Sequence, residues 1–263
     1  FQNSELQIRH LRLALARREF SLHYQPQTAA NGGALEGLEV LLRWRHPQRG
    51  AISPEVFIPL AEASGFIHVL GHWVLEEACR QYRRWSRADL APPKISVNLS
   101  ALQLTAPGWA EGVERVLAQT QMPPDCLELE ITESCLVENF TQARTTLERL
   151  QKLGVRVAID DFGAGYSSLF CLKDLPIQTL KLDKSFLKDL DKSAKNQIVL
   201  QGIIDLGRRL KLKVVAEGVE TREQFHLLKS FHCDVIQGYF VSRPLHLEGI
   251  TQFLQRRSYA LAA

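Results

Sequence analysis

From residue 94 onward, short runs of β-branched and other apolar residues alternate with longer runs whose apolar positions recur at helical spacing. The short runs, at 94–99, 127–132, 155–160, 178–183, 213–217 and 234–240, predict strands. The runs between them predict helices near 108–120, 140–153, 192–210 and 221–230. Val199, Ile203, Leu206 and Leu210 lie along one face of such a helix. Gly154 follows Leu153, where a helix commonly ends on a residue that turns left-handed. Repeated strand–helix alternation predicts a parallel sheet with helices outside it.

The N-terminal third is patterned differently. A helix is expected from about residue 5, followed by strand runs at 20–27 and 34–45 joined through Asn31-Gly32-Gly33. A parallel crossover needs a dozen or more residues, so these two strands are expected to be antiparallel. Helices near 54–63 and 68–87 come before the strand at 94. The predicted fold is α/β: a TIM-like (β/α)8 barrel with an antiparallel first strand, one domain over 1–263.

Side chains alternate between the two faces of a strand, which splits each run into two sets. At 127–132 the apolar set is Leu127, Leu129 and Ile131, and the other is Glu128, Glu130 and Thr132. The same division gives Arg156, Ala158 and Asp160, then Ser96 and Asn98, Lys181 and Asp183, Lys213 and Glu217, Gln237 and Tyr239, and Glu39 and Arg43. Barrel interiors are ordinarily filled by branched apolar residues. Here the inward set is polar on nearly every strand, with its charges gathered at the C-terminal ends. Some of these charges are expected to be internal ion pairs, Arg156 with Glu128 among them, and Lys213 in a similar role.

A 45% hydrophobic and 23% charged composition is ordinary for a globular chain, and a net charge of +3 gives no reason to expect a nucleic acid polymer as partner. Five cysteines without a C-x-x-C spacing suit neither a disulfide framework nor a zinc site, and the expected compartment is the reducing cytoplasm. No apolar run approaches the roughly 18 residues that span a bilayer, so no membrane contact by this domain is expected. The chain opens on Phe1 rather than Met and is expected to be a module excised from a larger signalling protein.

Glu39, Asn98, Glu130, Asp160-Asp161 and Glu217 close five strands at one rim. So many carboxylates repel one another unless cations neutralise them. Oxygen donors without His or Cys select Mg²⁺ or Mn²⁺, with Ca²⁺ a looser fit. Asp160-Asp161 could bridge two ions, the arrangement that clamps both oxygens of a phosphoryl displacement, and Lys181 could hold a water or balance phosphate charge. A barrel using Lys181 as a base beside Mg²⁺, as in enolase-like enzymes, fits the same residues.

EGLEVLLRW (36–44), SVNLSALQL (96–104), LELEITES (127–134), AIDDFGAGYSSL (158–169), LKLDKSF (180–186), VVAEGVET (214–221) and IQGYFVSRPL (236–245) together resemble the EAL-domain family. That family consists of cyclic di-GMP-specific phosphodiesterases and their non-catalytic relatives, built on a TIM-like barrel. The resemblance implies two Mg²⁺ or Mn²⁺ ions per site, held by Glu39, Asn98, Glu130, Asp160 and Asp161, with Asp160 reaching both. It implies a catalytic set of Lys181, Glu217, Asp161 and Glu39, with Lys181 on the attacking water and Glu217 as general base or second-metal support. It places Gln25, Arg43, Asp183, Glu220, Gln237 and Tyr239 along the nucleotide, and has Glu133 steady the loop Phe162-Gly163-Ala164-Gly165-Tyr166.

Two departures stand out. Val40 replaces the usual Ala of the namesake triplet, and by strand parity points away from the metals. Ala164 replaces the usual Thr and removes a hydroxyl from the loop. The expected activity is hydrolysis of cyclic di-GMP to linear 5′-pGpG; the alternative is a receptor that binds the messenger without cleaving it. A homodimer and upstream sensory or GGDEF-type domains are expected by the same resemblance.

Overall fold

The computed structural model describes residues 2–132, 140–163 and 169–256, with side chains from residue 9 onward in the first segment and from residue 172 onward in the last. Glu133, Ala164 and Tyr166 lie outside the described residues.

Helix α1 (Gln2–Ala16) leads into β1 (Phe20–Ala29) and β2 (Leu35–His46). These form an antiparallel hairpin whose register runs from Phe20 opposite Trp44 to Gln27 opposite Gly37. Its turn contains Gly32 at φ 86° and Gly33 at φ 66°, a backbone that L side chains resist. A three-residue β3 (Gly50–Ile52) folds back on the end of β2. Then come α2 (Pro54–Ala63) and α3 (Ile67–Arg87), followed by β4 (Ile95–Leu99), α4 (Ala101–Leu104) and α5 (Trp109–Thr120). The rest is β5 (Leu127–Thr132), α6 (Phe140–Lys152), β6 (Arg156–Phe162), α7 (Leu169–Asp174), β7 (Thr179–Leu182), α8 (Ala194–Arg209), β8 (Lys213–Ala216), α9 (Arg222–Ser230), β9 (Val235–Gln237) and α10 (Leu247–Gln255).

The strand order is β1-β9-β8-β7-β6-β5-β4-β2, closed by β1 on β2, with β3 appended outside the ring. Every pairing from β2 round to β9 is parallel; β1 alone runs the other way, antiparallel to both neighbours. The architecture is therefore the expected eight-stranded barrel with one reversed strand. Outward residues such as Val97, Leu129, Val157, Leu180, Val214 and Ile236 are buried against the helices and make the main core. Gly154, at φ 93°, ends α6 as its position predicts.

A second apolar cluster lies at the mouth. Phe20, Trp44 and Phe57 meet with ring centroids 5.5–5.7 Å apart and are joined by Leu11, Ala14, Ala61, Phe66, Ile67 and Leu70. Aromatic pairs at this spacing add about 0.5–1.5 kcal/mol each beyond their buried area.

Two strands are shorter than their apolar runs suggest. β7 stops at Leu182, because the Asp183 side chain accepts a hydrogen bond from the Ser185 amide (2.9 Å) and starts a 3₁₀ turn. β9 stops at Gln237, because Gly238 turns to φ 156° and its backbone lies so close to Val219 that an added Cβ would fall 2.2 Å from the Val219 carbonyl oxygen.

Candidate active site

The parallel strands and the alternation of their side chains aim Glu39 (β2), Asn98 (β4), Glu130 (β5), Asp160 (β6) and Lys181 (β7) into the barrel near its C-terminal mouth. Glu217 follows β8 directly, its amide donating to the Leu182 carbonyl (3.1 Å).

Lys181 is fully buried at the centre. Its Nζ lies 2.6 Å from Glu130 Oε2, 2.7 Å from Glu217 Oε1, 3.1 Å from Asp160 Oδ1 and 3.6 Å from Glu39 Oε2. Burial by itself lowers a lysine pKa, but the carboxylates of Asp160, Glu130, Glu217 and Glu39 outweigh it and hold Lys181 well above its ordinary value. A lysine serving as a general base must give up its proton near neutrality. Lys181 in this metal-free arrangement is an ion-pair partner of four carboxylates rather than a free amine.

The acids fall into two groups that share one member. Oxygens of Glu39, Glu130 and Asp160 lie within 4.8 Å of one another, and so do those of Asp160, Asp161 and Glu217. Consecutive strand residues ordinarily point to opposite faces, so Asp160 and Asp161 should not share a site. The β6–β7 register shifts between Ile159 and Phe162, and Asp161 adopts a left-handed φ of 52°. That local bulge brings the second carboxylate round to the mouth beside the first.

Electrostatically the cluster lacks positive charge, with five carboxylates around one ammonium. Burial, reinforced by neighbouring carboxylates, raises Glu130 well above the usual carboxylate range and raises Asp160 and Asp161 as well. Burial pushes Glu217 to about 8 against the opposing pull of Lys181. Glu39 is the exception: burial would raise it, but Lys181 and hydrogen bonds from Gln237 and Asn98 bring it below its ordinary value.

Donor chemistry fits a divalent cation. Glu130 Oε1 is buried with no hydrogen-bond partner. Asn98 donates its Nδ2 to Glu39 Oε1 (2.9 Å), and its Oδ1 has no partner among the described residues. An unpaired buried oxygen on Glu130, with the amide oxygen of the more exposed Asn98 nearby and carboxylates of raised pKa around it, is what a divalent cation would satisfy.

The remaining expected residues divide into two sets. Gln25 and Gln237 are buried beside Glu39, and Gln237 Nε2 donates both to Glu39 Oε2 and to Gln25 Oε1 (3.2 Å). Arg43, Asp183, Glu220 and Tyr239 lie on the rim, where Arg243 stacks 4.1 Å over the Tyr239 ring. Val40 is buried in the outer core, as parity predicts. A cavity of about 530 Å³ opens beside Asn98 and Arg43, walled by Leu41, Ile58, Glu62 and Val74.

Glu128 is not paired with Arg156 as expected. One register step below Glu130, it receives the ammonium of Lys94 and hydrogen bonds from Ser96 (3.0 Å) and Thr179 (2.7 Å), while Arg156 is exposed. Lys94 has the inward parity of Ser96 and Asn98, a signal present in the sequence. Lys213 pairs with Glu36 (2.6 Å), partly exposed, rather than inside the barrel. Among the described residues, Cys79, Cys126 and Cys233 are free thiols, and no helix is long and apolar enough to cross a membrane.

Comparison with known proteins places these features in a family. The model of the EAL domain matches residues 8–244. The chain is 45% identical over 245 residues to the bifunctional diguanylate cyclase/cyclic di-GMP phosphodiesterase MucR of Pseudomonas aeruginosa, covering 93% of this chain and 36% of that protein. It is 44% identical over 252 residues to the cyclic di-GMP phosphodiesterase NbdA of the same organism, covering 95% and 32% respectively. The chain thus spans about a third of the length of these curated relatives. Among solved structures, the PaMucR phosphodiesterase in complex with c-di-GMP superposes with a TM-score of 0.88 at 44% identity, over 93% of this chain and 99% of that one. The FimX EAL domain from Pseudomonas aeruginosa bound to c-di-GMP gives 0.84 at 28% identity, over 91% and 96%.

Proposed function

The chain belongs to the EAL domain family, and from that premise we propose that it hydrolyses cyclic di-GMP, opening one phosphodiester to give linear 5′-pGpG. The observation that carries this reading is the pair of acidic groups joined at Asp160, with Lys181 in contact with both.

Glu39, Asn98, Glu130 and Asp160 would hold one divalent cation, and Asp160 with Asp161 a second, beside Glu217. Such ions, when bound, offset phosphate charge and lower the pKa of water from 15.7 toward ~7. The chain's own groups do the rest. Lys181 orients the attacking water, and Glu217 beside it accepts the water's proton. Attack on phosphorus forms one P–O bond and breaks the bond to the 3′ oxygen, which leaves opposite the water and takes up a proton. Arg43, Asp183, Glu220 and Tyr239 contact the nucleotide on the rim, and the cavity walled by α2 and α3 takes one base.

The receptor reading is disfavoured because every expected ligand that lies among the described residues is present, together with Lys181. The deciding experiment is incubation of the protein with cyclic di-GMP and Mg²⁺, with and without EDTA, followed by chromatography of the products. Linear dinucleotide formed only with the metal supports hydrolysis; binding without cleavage in either condition makes the protein a receptor. By analogy with relatives three times its length, we also propose that the chain works within a longer signalling protein.

A further inference from the structure

On β1, Gln25 and Gln27 point into the barrel on either side of Pro26 and grip the same neighbour, Gln237 of β9. Gln27 is fully buried, and its Nε2 donates to Gln237 Oε1 at 2.9 Å. Gln237 Nε2 then has acceptors for both of its hydrogens, Glu39 Oε2 and Gln25 Oε1, and Gln25 donates onward to the Ser242 carbonyl (3.0 Å). The amide of Gln237 is therefore fully committed within the protein, and its orientation is not free. If it were reversed, its carbonyl oxygen would face the Glu39 carboxylate, and two acceptors would be forced together.

The donor from Gln27 opposes the reversal together with Glu39 and Gln25, the two acceptors that Gln237 Nε2 faces. That donor is held at a cost, because Gln27 Oε1 is itself buried without a partner. Gln27 is boxed in from below by Gly37 and Lys94: a Cβ at residue 37 would lie 3.1 Å from Gln27 Oε1 and 2.8 Å from Lys94 Cγ. The absence of a side chain at Gly37 is what lets Gln27 occupy this place.

We propose that Gln27 is a positioning residue for the metal site. By donating to Gln237 Oε1 it anchors the far end of the amide that meets Glu39, and so holds the Glu39 carboxylate in the orientation in which it would receive a cation. Gln27 touches neither metal nor nucleotide; it acts wholly through Gln237. Groups that orient metal ligands in this way typically change metal affinity or activity by about 10–100-fold when removed. This inference rests on the catalytic reading above.

The test is Mn²⁺ titration of metal-free protein by calorimetry, alongside steady-state kinetics with cyclic di-GMP. The proteins compared are wild type, Gln27→Met, Gln237→Met and the double variant. Methionine keeps the side chain's length without its donor; Gln27→Leu serves if Gln27→Met does not fold. Mn²⁺ binding is expected to weaken about tenfold in Gln27→Met, with kcat reduced and KM for the nucleotide within about twofold of wild type. In the Gln237→Met background the same change should do nothing further, because the route from Gln27 to Glu39 is already cut. Mn²⁺ binding by Gln27→Met within twofold of wild type, or effects that multiply in the double variant, would overturn the assignment. Wild-type protein that takes up no Mn²⁺ would instead overturn the catalytic reading, and this inference with it.

Discussion

Replacing Lys181 with methionine tests the electrostatic account of the site most directly. The substitution removes the one ammonium among four carboxylates, at 2.6–3.6 Å, and leaves them buried together. Breaking a buried ion pair by deleting one partner costs about 3–5 kcal/mol. For a chain of this size each kcal/mol moves Tm by roughly 2–4 °C, so metal-free Lys181→Met should melt about 6–20 °C below wild type. The loss should grow as pH rises, because the neighbouring carboxylates, Glu217 among them, relieve the repulsion only while they hold protons. Divalent cations should then restore more than they do in the wild type, because no ammonium competes with them. At a hundredfold excess over Kd, binding contributes about 2.7 kcal/mol. Thermal unfolding followed by circular dichroism in EDTA and in Mg²⁺ gives both quantities, and chromatography should show turnover abolished. A Tm in EDTA within about 2 °C of wild type, or a Mg²⁺-induced rise no larger than the wild type's, would refute the reasoning.

Three further outcomes follow from the same geometry. Glu217 is raised from 4.5 to about 8 on folding, so its contribution to metal-free stability is full below pH ~4.5 and is lost as pH rises through ~8. Melting curves in EDTA should show that decline and curves in Mg²⁺ should not; parallel pH profiles would count against it. Glu128 behaves in the opposite sense: burial would raise it, but Lys94 and its hydrogen bonds hold it below the usual range, so its contribution is present above the unfolded pKa and fades on acidification. Glu128→Gln should cost about 3–5 kcal/mol in neutral urea titrations by leaving Lys94 buried and unpaired, and should flatten the acid limb; an unchanged acid limb argues the pair is inert. At Asp161, with φ 52°, Asn tolerates the left-handed backbone and Val does not. Asp161→Asn should keep the wild-type melting temperature while losing turnover, whereas Asp161→Val should lose about 1–3 kcal/mol as well; equal stability of the two would mean the bulge is not under strain.

Much of this was readable from the chain because a barrel converts a two-residue alternation into a direction. Glu39, Glu130, Asp160 and Lys181 lie on the polar set of their strands, and the structure brings all four to one point. What parity cannot predict is a break in parity. The convergence of Asp161 with Asp160 depends on a register shift against β7, which is a property of two strands and is invisible in either one. The mispairing of Arg156 has another cause. It stands level with Glu128 in the register, but at the bottom end of β6 its long side chain reaches solvent, leaving the acid to the shorter approach of Lys94. The small α4 was signalled by Ser100-x-x-Gln103, whose reciprocal capping bonds are formed, but four residues give no periodicity to detect. The three residues of β3 are too few for any pattern at all.

The reversal of β1 also changes the direction from which the chain enters the barrel. In an ordinary barrel the first strand rises from the floor, far from the chemistry. Here Phe20 lies level with Trp44, so the polypeptide arrives at the upper edge and descends, and the β1–β2 turn faces the far side. Helix α1 packs on α2, and through Leu11 and Ala14 leans on the same aromatic knot that buttresses Trp44, the residue after Arg43. A twist or tug applied along α1 would thus be felt first at the lip of the cleft, through the rings of Phe20, Trp44 and Phe57.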